Sequence, residues 1–247
     1  MIFSRTKTCA GLYVSDNNLL YLVAKSTKGE LCVQAGGVIP FDPSDGGESL
    51  LNGAAQLFSS KQASWSCSIP LRARSAVVTT PPMSATELDS AVHWQAEKLF
   101  RLQERKLQLS WENLESQEDA LHKPISLLLV ALEQSELAQQ VEIYGGLKNR
   151  PQRLEPALSS FARVSGSLLP ENLAAGCARV HVHCLRRGAN ELAYIAISRP
   201  ERLIEVRVLP LPHEAQLDDY TQILKQSLLA VEDQHPMLEM DSLQITG

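Results

Sequence analysis

The chain has 247 residues, which is enough for a substantial core and favours two modest lobes. Its 23 basic and 28 acidic residues give a formal net charge of −5 without a strong block of either sign, which argues against a dedicated nucleic-acid surface. No apolar run approaches the roughly 20 residues that span a bilayer, and residues 1–10 lack the apolar segment of a secretory signal. We therefore expect a cytoplasmic protein.

The first part of the chain predicts a three-stranded meander followed by a helix and two more strands. Runs of β-forming residues are separated here by short polar turns, which is the pattern of hairpins. Apolar residues at helical spacing predict a helix over residues 48–60. The predicted strands are residues 8–14, 19–25, 30–39, 66–69 and 75–79.

The next helix has the clearest start in the sequence. Ser84 can accept a hydrogen bond from the backbone of Glu87, and the Glu87 side chain can reach back to the N–H of Ser84, which together form a capping box. Pro81 and Pro82 cannot continue a strand ladder. The sequence therefore predicts a helix over residues 84–101, with one apolar face and one polar face.

The remainder predicts alternating strands and helices. Residues 125–132 form a nearly continuous apolar run, which is typical of a strand buried on both faces at the centre of its sheet. A lobe boundary is expected between residues 166 and 176, where small residues and Pro170 loosen the chain. Further strands are predicted at residues 106–112, 179–185, 191–197, 203–209 and 242–247, and helices at 135–145, 157–164 and 217–231.

The cysteines and histidines give no pattern typical of a metal or catalytic site. The five cysteines are odd in number and widely spaced, which predicts reduced and buried thiols: Cys9, Cys32, Cys67, Cys177 and Cys184. On a strand, His181 and His183 share one face while Cys184 points to the other, so we expect no metal site. The other histidines are expected to lie on the surface or to pack: His93, His122, His213 and His235.

Three segments resemble the PilM-like proteins of type IV pilus assembly machines, which are degenerate relatives of actin. They are GLYVSDNNLLYL at residues 11–22, VVTTPPMSATELDSAVHWQAEKLF at 77–100 and YTQILKQSLLAVE at 220–232. Within this family the chain looks closest to the MshI-type proteins of mannose-sensitive pili, and it is related to the cytoplasmic GspL domain of type II secretion. The resemblance implies an α/β, degenerate actin-like (ribonuclease H-like) fold of two lobes with an extra small α+β subdomain. Lobe 2 would be truncated at Gly247.

The resemblance also implies a division of the chain. Residues 1–83 and 155–170 would form lobe 1, residues 84–154 the inserted subdomain, and residues 177–247 an incomplete lobe 2.

In nucleotide-binding relatives, two polar turns hold the phosphates of ATP and carboxylates place a magnesium ion. The first turn here, Ser15, Asp16, Asn17 and Asn18, is the candidate phosphate site, but it lacks a glycine and also fits an ordinary hairpin turn. The second turn, residues 186–190, has arginines where the family has an aspartate. We therefore expect no cofactor, neither ATP nor magnesium, and no catalysis; a nucleotide-binding ATPase switch is the alternative.

Large apolar side chains near the capped helix are the candidate partner-binding residues: Trp94, Leu99 and Phe100. The alternative is that such residues fill the core of the subdomain. The resemblance implies a scaffold that docks the cytosolic N-terminal peptide of an inner-membrane pilus assembly protein, and also the assembly ATPase. The protein would then meet the inner membrane only through its partners. A cytoplasmic domain of a type II secretion platform is a further alternative.

Overall fold

The computed structural model describes most of the chain: residues 7–15, 17–27, 30–45, 47–57, 63–69, 71–114, 124–167, 177–187, 190–199, 202–211, 217–236 and 238–246. Strands and helices alternate along these residues in the order β1 (Lys7–Val14), β2 (Asn18–Thr27), β3 (Glu30–Pro40), α1 (Glu48–Leu57), β4 (Ala63–Ile69), β5 (Arg74–Thr80), α2 (Ala85–Phe100), β6 (Leu107–Asn113), β7 (Ile125–Glu133), α3 (Gln134–Gly145), β8 (Arg153–Pro156), α4 (Ala157–Ser167), β9 (Cys177–Arg187), β10 (Asn190–Arg199), β11 (Arg202–Leu211), α5 (Leu217–Gln234) and β12 (Glu239–Thr246). The α/β class expected from the sequence is confirmed.

The chain divides into two compact units. The first comprises Met1–Leu71 and Ser135–Ala157, and the second comprises Arg72–Gln134 and Leu158–Gly247. The lobe boundaries expected from the resemblance stay a prediction, and the expected boundary between residues 166 and 176 falls largely outside the described residues.

The first unit is built on a five-stranded sheet in the order β3-β2-β1-β4-β8. Its first three strands form the antiparallel meander that the sequence predicts, while β4 runs parallel to β1. Helix α1 packs closely on this sheet at Gly53. A Cβ atom added at this glycine would lie only 2.9 Å from Leu19 Cδ1 of β2. Trp65 is buried in the same core and donates from Nε1 to Asn149 O at 3.1 Å.

The second unit contains a small α+β subdomain of α2 and the three-stranded sheet β5-β7-β6. As predicted, β7 is the central strand, and all its residues except the last are buried. Alternate residues of β7 meet the apolar face of α2 in one core cluster: Leu88, Val92, Ala96, Phe100, Leu107, Ile125, Leu127, Leu129 and Ala131. The subdomain therefore has a core of its own.

The second unit also contains the sheet β11-β10-β9-β12, whose strand β12 runs parallel to β9. Helix α5 covers one face, where Val231 packs with Val180 and Val182. On the other face, Phe161 of α4 contacts the ring of His181 with the ring centroids 4.9 Å apart. The ion pair between Arg163 Nη1 and Glu112 Oε2, at 2.6 Å, ties α4 to β6.

Two sequence expectations fail. The sequence predicts no strand before Pro156, but Arg153–Pro156 forms β8, which pairs in parallel with β4. Burial of all five thiols was also wrong: Cys67 is buried, Cys9 and Cys177 are partly exposed, and Cys32 and Cys184 are exposed, with Cys32 on the edge strand β3. None of the five cysteines forms a disulfide bond. The last residues of the first predicted helix, 58–60, lie outside the described part of the chain.

Candidate functional site

Helix α2 is fixed at both ends. At its start, Glu87 N donates to Ser84 Oγ at 3.4 Å and Ser84 N donates to Glu87 Oε2 at 2.9 Å, which is the predicted capping box. Hydrogen bonds from the side chain and backbone of Ser84 lower the pKa of the Glu87 carboxyl. At its end, Arg101 adopts the left-handed conformation with φ 57° and donates its N–H to Glu97 O at 2.8 Å. The backbone of α2 is therefore well ordered at both ends of the segment that carries the exposed side chains.

The three candidate partner-binding residues lie on different faces of this helix. Trp94 and Leu99 are exposed, with 67% and 53% of their surface accessible, whereas Phe100 is only 7% exposed and belongs to the subdomain core. Lys98 Nζ lies 5.6 Å from the centroid of the Trp94 ring. His93 is an exposed surface histidine, as expected, and its Nδ1 lies 2.9 Å from Asp89 O.

A cleft of about 680 Å³ opens beside the C-terminal end of α2. Strands β5 and β11 form its walls, Leu99 and Phe100 contribute from α2, and Gln234 and His235 contribute from the end of α5. The two walls are connected by a hydrogen bond from Ser75 Oγ to Val206 O at 3.1 Å. Two of the three predicted partner-binding residues therefore line one cavity of the second unit.

Polar side chains form one wall of this cleft. Arg207 is held on three sides: Nε donates to Glu205 Oε1, Nη2 donates to Gln234 Oε1 at 2.8 Å, and Nη1 donates to Ser227 O at 3.4 Å. His235 Nε2 lies 3.4 Å from Glu205 Oε2. This network ties β11 to the end of α5 and fixes the shape of the wall.

The candidate phosphate turn at residues 15–18 forms hydrogen bonds within itself. Both the backbone N–H and the hydroxyl of Ser15 donate to Asn18 O, at 2.9 and 3.1 Å. The Asn18 side-chain amide donates to Asn17 Oδ1 at 2.9 Å. Asp16 lies outside the described residues. Both donors of Ser15 and the side-chain amide of Asn18 thus form local hydrogen bonds, as in an ordinary hairpin turn.

The second turn joins β9 to β10, and Arg187 pairs with Asn190 in the sheet register. Gly188 and Ala189, at its tip, lie outside the described residues. His122 and His213 also lie outside them. In the part of the chain that the structure describes, no group of three or more histidine, cysteine, aspartate or glutamate side chains could hold a metal ion.

His181 and His183 share one face of β9, as predicted, and both belong to a buried hydrogen-bond chain. Ser165 Oγ donates its single proton to Phe161 O at 2.8 Å, so His181 Nδ1 donates to Ser165 Oγ at 3.1 Å. His181 Nε2 and His183 Nδ1 lie 3.2 and 3.0 Å from Thr246 Oγ1, and this hydroxyl also lies 3.4 Å from Val182 O, so its one proton can serve only one of these contacts. A neutral His181 that carries its proton on Nδ1 fits these contacts.

The electrostatics agree with neutral rings. Burial lowers the pKa of His181, and the positive charge of Arg179 lowers it further. Burial likewise lowers the pKa of His183, with a smaller contribution from His181. These histidines have a structural role between β9, β12 and α4.

The buried Cys67 in the first unit is not a reactive thiol. Burial raises its pKa to about 12. A thiol that stays protonated at neutral pH is a poor nucleophile and a poor metal ligand.

No protein-family model and no curated protein matches the sequence. Solved structures do match. A Bacteroides thetaiotaomicron protein with an actin-like ATPase fold and unknown function has TM-score 0.53 and 12% identity, over 100% of this chain and 85% of that one. An exopolyphosphatase from Cytophaga hutchinsonii has TM-score 0.50 and 6% identity, over 97% of this chain and 66% of that one. The chain therefore has a degenerate, two-lobed actin-like fold with an added small subdomain.

The chain is also similar to a protein of the PilM-PilN type IV pilus biogenesis complex. The TM-score is 0.60 and the identity 19%, over 91% of this chain and 68% of that one. At such identities the likeness shows the fold alone. None of the helices in the described residues is long and apolar enough to cross a membrane.

Sequence reasoning missed the strand residues of the cleft. Ser75 and Val206 meet although they are 131 positions apart in the sequence. Arg74, Glu205 and Arg207 belong to no motif, and their common site arises only from the packing of β5 beside β11.

Proposed function

We propose that the protein is a non-catalytic cytoplasmic scaffold of a type IV pilus assembly platform. It docks the cytosolic N-terminal peptide of an inner-membrane pilus assembly protein and also contacts the assembly ATPase. The pilus is of the mannose-sensitive type, the protein is of the MshI type, and it reaches the inner membrane only through its partners. The likeness in fold to a protein of the PilM-PilN complex supports this proposal.

The observation that carries the proposal is that α2 exposes two large apolar side chains, Trp94 and Leu99. An indole that is 67% exposed and a leucine that is 53% exposed project from a helix that is fixed at both ends. Tryptophan is strongly enriched among the residues that dominate binding energy, because its large ring gains much from desolvation. Leu99 also lines the cleft, so an apolar ligand on α2 can continue into a preformed cavity.

The hydrogen bonding of the first turn supports a scaffold without nucleotide chemistry. A phosphate that used the N–H or the hydroxyl of Ser15 would compete with Asn18 O, to which both already donate. A phosphate would therefore have to break these hydrogen bonds within the turn before Ser15 could donate to it.

The test is a fluorescence anisotropy titration with the labelled cytosolic N-terminal peptide of the membrane protein encoded beside this gene. We expect saturable binding, and we expect Trp94→Ala to weaken it at least about tenfold. Leu229→Ala is the matched control, since Leu229 is 49% exposed on α5 and lines no part of the cleft. Absence of binding, or equal loss in both variants, would contradict docking on α2.

The contact with the assembly ATPase needs a separate test. Co-purification of the tagged chain with the ATPase should succeed, and it should still succeed with Trp94→Ala if peptide and ATPase use different surfaces. Failure to co-purify with the wild-type chain would remove the ATPase from the proposal and leave the peptide function standing.

A further inference from the structure

The two larger sheets share one order of elements. In the first unit, the meander of β1, β2 and β3 is followed by α1 and by β4, which runs parallel to β1. In the second unit, β9, β10 and β11 are followed by α5 and by β12, which runs parallel to β9. The first sheet then adds β8 beside β4, whereas β12 is the last strand of its sheet among the residues that the structure describes. We call the side of β12 that faces away from β9 the open edge.

The apolar side chains of β12 are exposed, although their counterparts in the first sheet are buried. Leu243 and Ile245 pair in the sheet register with two valines of the core cluster under α5, yet they are 54% and 59% exposed. On β4, Trp65 and Cys67 likewise pair with the helix-facing residues of β1, and they are 1% and 0% exposed. There β8 pairs with the outer edge of β4, and the ring of Tyr144 packs edge-on against that of Trp65 with the centroids 6.5 Å apart. The second sheet therefore has the same apolar positions without the cover that they have in the first.

The open edge also lacks the features that usually keep strand edges from pairing, which are charged side chains, proline and bulges. Residues 242–246, Ser-Leu-Gln-Ile-Thr, contain no charge and no proline, and the register shift of β12 lies before them, between Met240 and Ser242. The edge strand β3, by contrast, has a register shift in its middle and ends at Pro40. About five residues of β12 can thus form a backbone ladder with a further strand.

Acidic side chains surround the start of this edge. Glu232 and Asp233 lie in the last turn of α5 and Glu239 begins β12; all three are exposed, and none forms an ion pair with another described residue. The C-terminal end of a helix adds partial negative charge. Residues 217–247 contain six acidic residues and one lysine, a net charge of −5 that equals that of the whole chain. A second copy of this chain would bring the same negative charge to the contact, so the charges favour a basic partner.

We propose that the open edge of β12 docks an extended segment of a partner protein that runs parallel to β12 and carries basic residues followed by alternating apolar residues. Its backbone pairs with residues 242–246, as β8 pairs with β4. Parallel strands start at the same end, so the basic residues meet Glu239 and the end of α5 while the apolar side chains cover Leu243 and Ile245. This inference concerns a second surface and does not rest on the docking proposed for α2.

The experiment compares two fluorescein-labelled peptides of the same composition by anisotropy at low ionic strength. Both contain three lysines and the core Val-Ser-Val-Ser-Val, with the lysines before the core in one peptide and after it in the other. Only the first peptide can place its lysines beside Glu239 and its valines beside Leu243 and Ile245 in a parallel strand. We expect the chain to bind it at least about tenfold more tightly. Equal binding, or tighter binding of the second peptide, would overturn the parallel arrangement, and no binding of either would overturn the docking edge.

Two substitutions assign the binding to this edge. Ile245→Ser should weaken the first peptide at least about tenfold, whereas Leu22→Ser, at an exposed leucine of β2, should not. Glu239→Lys should remove most of the preference between the peptides, whereas Glu142→Lys, at an exposed position of α3, should leave it unchanged. All four positions are exposed, so unchanged thermal unfolding is expected and is measured for each variant. Binding that ignores Ile245→Ser, or a preference that survives Glu239→Lys, would overturn the assignment to β12.

The peptide backbone provides the last test. In an edge strand, alternate residues direct their N–H groups to the neighbouring strand and the others direct them away. N-methylation of one alternate set of amides in the first peptide should therefore weaken binding at least about tenfold, while methylation of the other set should leave it unchanged. Equal effects of the two methylation patterns would refute strand pairing.

Discussion

Leu128 and Leu129 provide a test of how β7 supports the subdomain. The two residues are adjacent on the central strand and are 1% and 0% exposed, so their side chains are buried on opposite faces of the sheet. Leu129 packs against the core cluster that holds α2. Replacing a buried leucine by alanine costs about 2–5 kcal/mol through lost burial and the remaining cavity. We expect Leu128→Ala and Leu129→Ala each to lower the free energy of unfolding of the second unit by this amount.

The matched control is Leu22→Ala, on β2 of the first unit, where the leucine is 47% exposed. Leu22→Ala should lower the free energy of unfolding by less than about 1 kcal/mol, because the substitution removes little buried apolar area. Hydrogen exchange in increasing urea, followed by mass spectrometry of peptides from β7 and from β1, resolves the opening of each unit. If Leu128→Ala cost no more than Leu22→Ala, then β7 would be buried on one face only, and the reasoning from its continuous apolar run would be refuted.

Four further results are expected. Ser84→Ala should destabilise α2 by about 1 kcal/mol, seen as faster hydrogen exchange in its first turn, whereas an unaffected first turn would argue against the capping box. Arg101→Gly should stabilise the same helix by about 1 kcal/mol, because φ 57° strains a side chain but not glycine; a loss of stability in thermal unfolding would contradict this. Burial lowers the pKa of His181 and His183 below about 6.5, so as the pH falls these histidines are protonated in the unfolded chain before they are protonated in the folded one. The free energy of unfolding should therefore be highest above about pH 6.5 and should fall as the pH drops toward the folded-state pKa values. Urea unfolding at several pH values should show this slope in the wild type and a smaller slope in the His181→Gln/His183→Gln double variant, and equal slopes would refute it. Titration calorimetry with magnesium-ATP should give no tight, metal-dependent heat, and the appearance of such heat would favour the nucleotide-binding switch.

The features that the sequence predicts well are those set by neighbouring residues. The capping box of Ser84 and Glu87 spans three positions, so its residues and its geometry come from one short segment. The central position of β7 follows from its continuous apolar run, because only a strand covered on both faces is stable with that composition.

The features that the sequence does not predict depend on packing between distant segments. Strand β8 has four residues, one of them proline, and it becomes a strand only because β4 offers it a parallel edge. The exposure of Cys32 and Cys184 depends on which strand faces are left uncovered. The cleft is a stronger case, because the segments that carry Arg74 and Arg207 acquire a common site only when β5 packs beside β11.

Folding alone does not explain the tryptophan on α2. The buried positions of this helix are Leu88, Val92, Ala96 and Phe100, and Trp94 lies about half a turn from their mean direction. The neighbouring exposed positions carry His93 and Lys98, so a polar residue at position 94 would complete the same amphipathic helix. Both ends of α2 are capped, and the Trp94 side chain is 67% exposed. The exposed indole on the face of α2 opposite its buried residues is therefore not required for the stability of the subdomain, and it agrees with the proposed partner-binding role of Trp94.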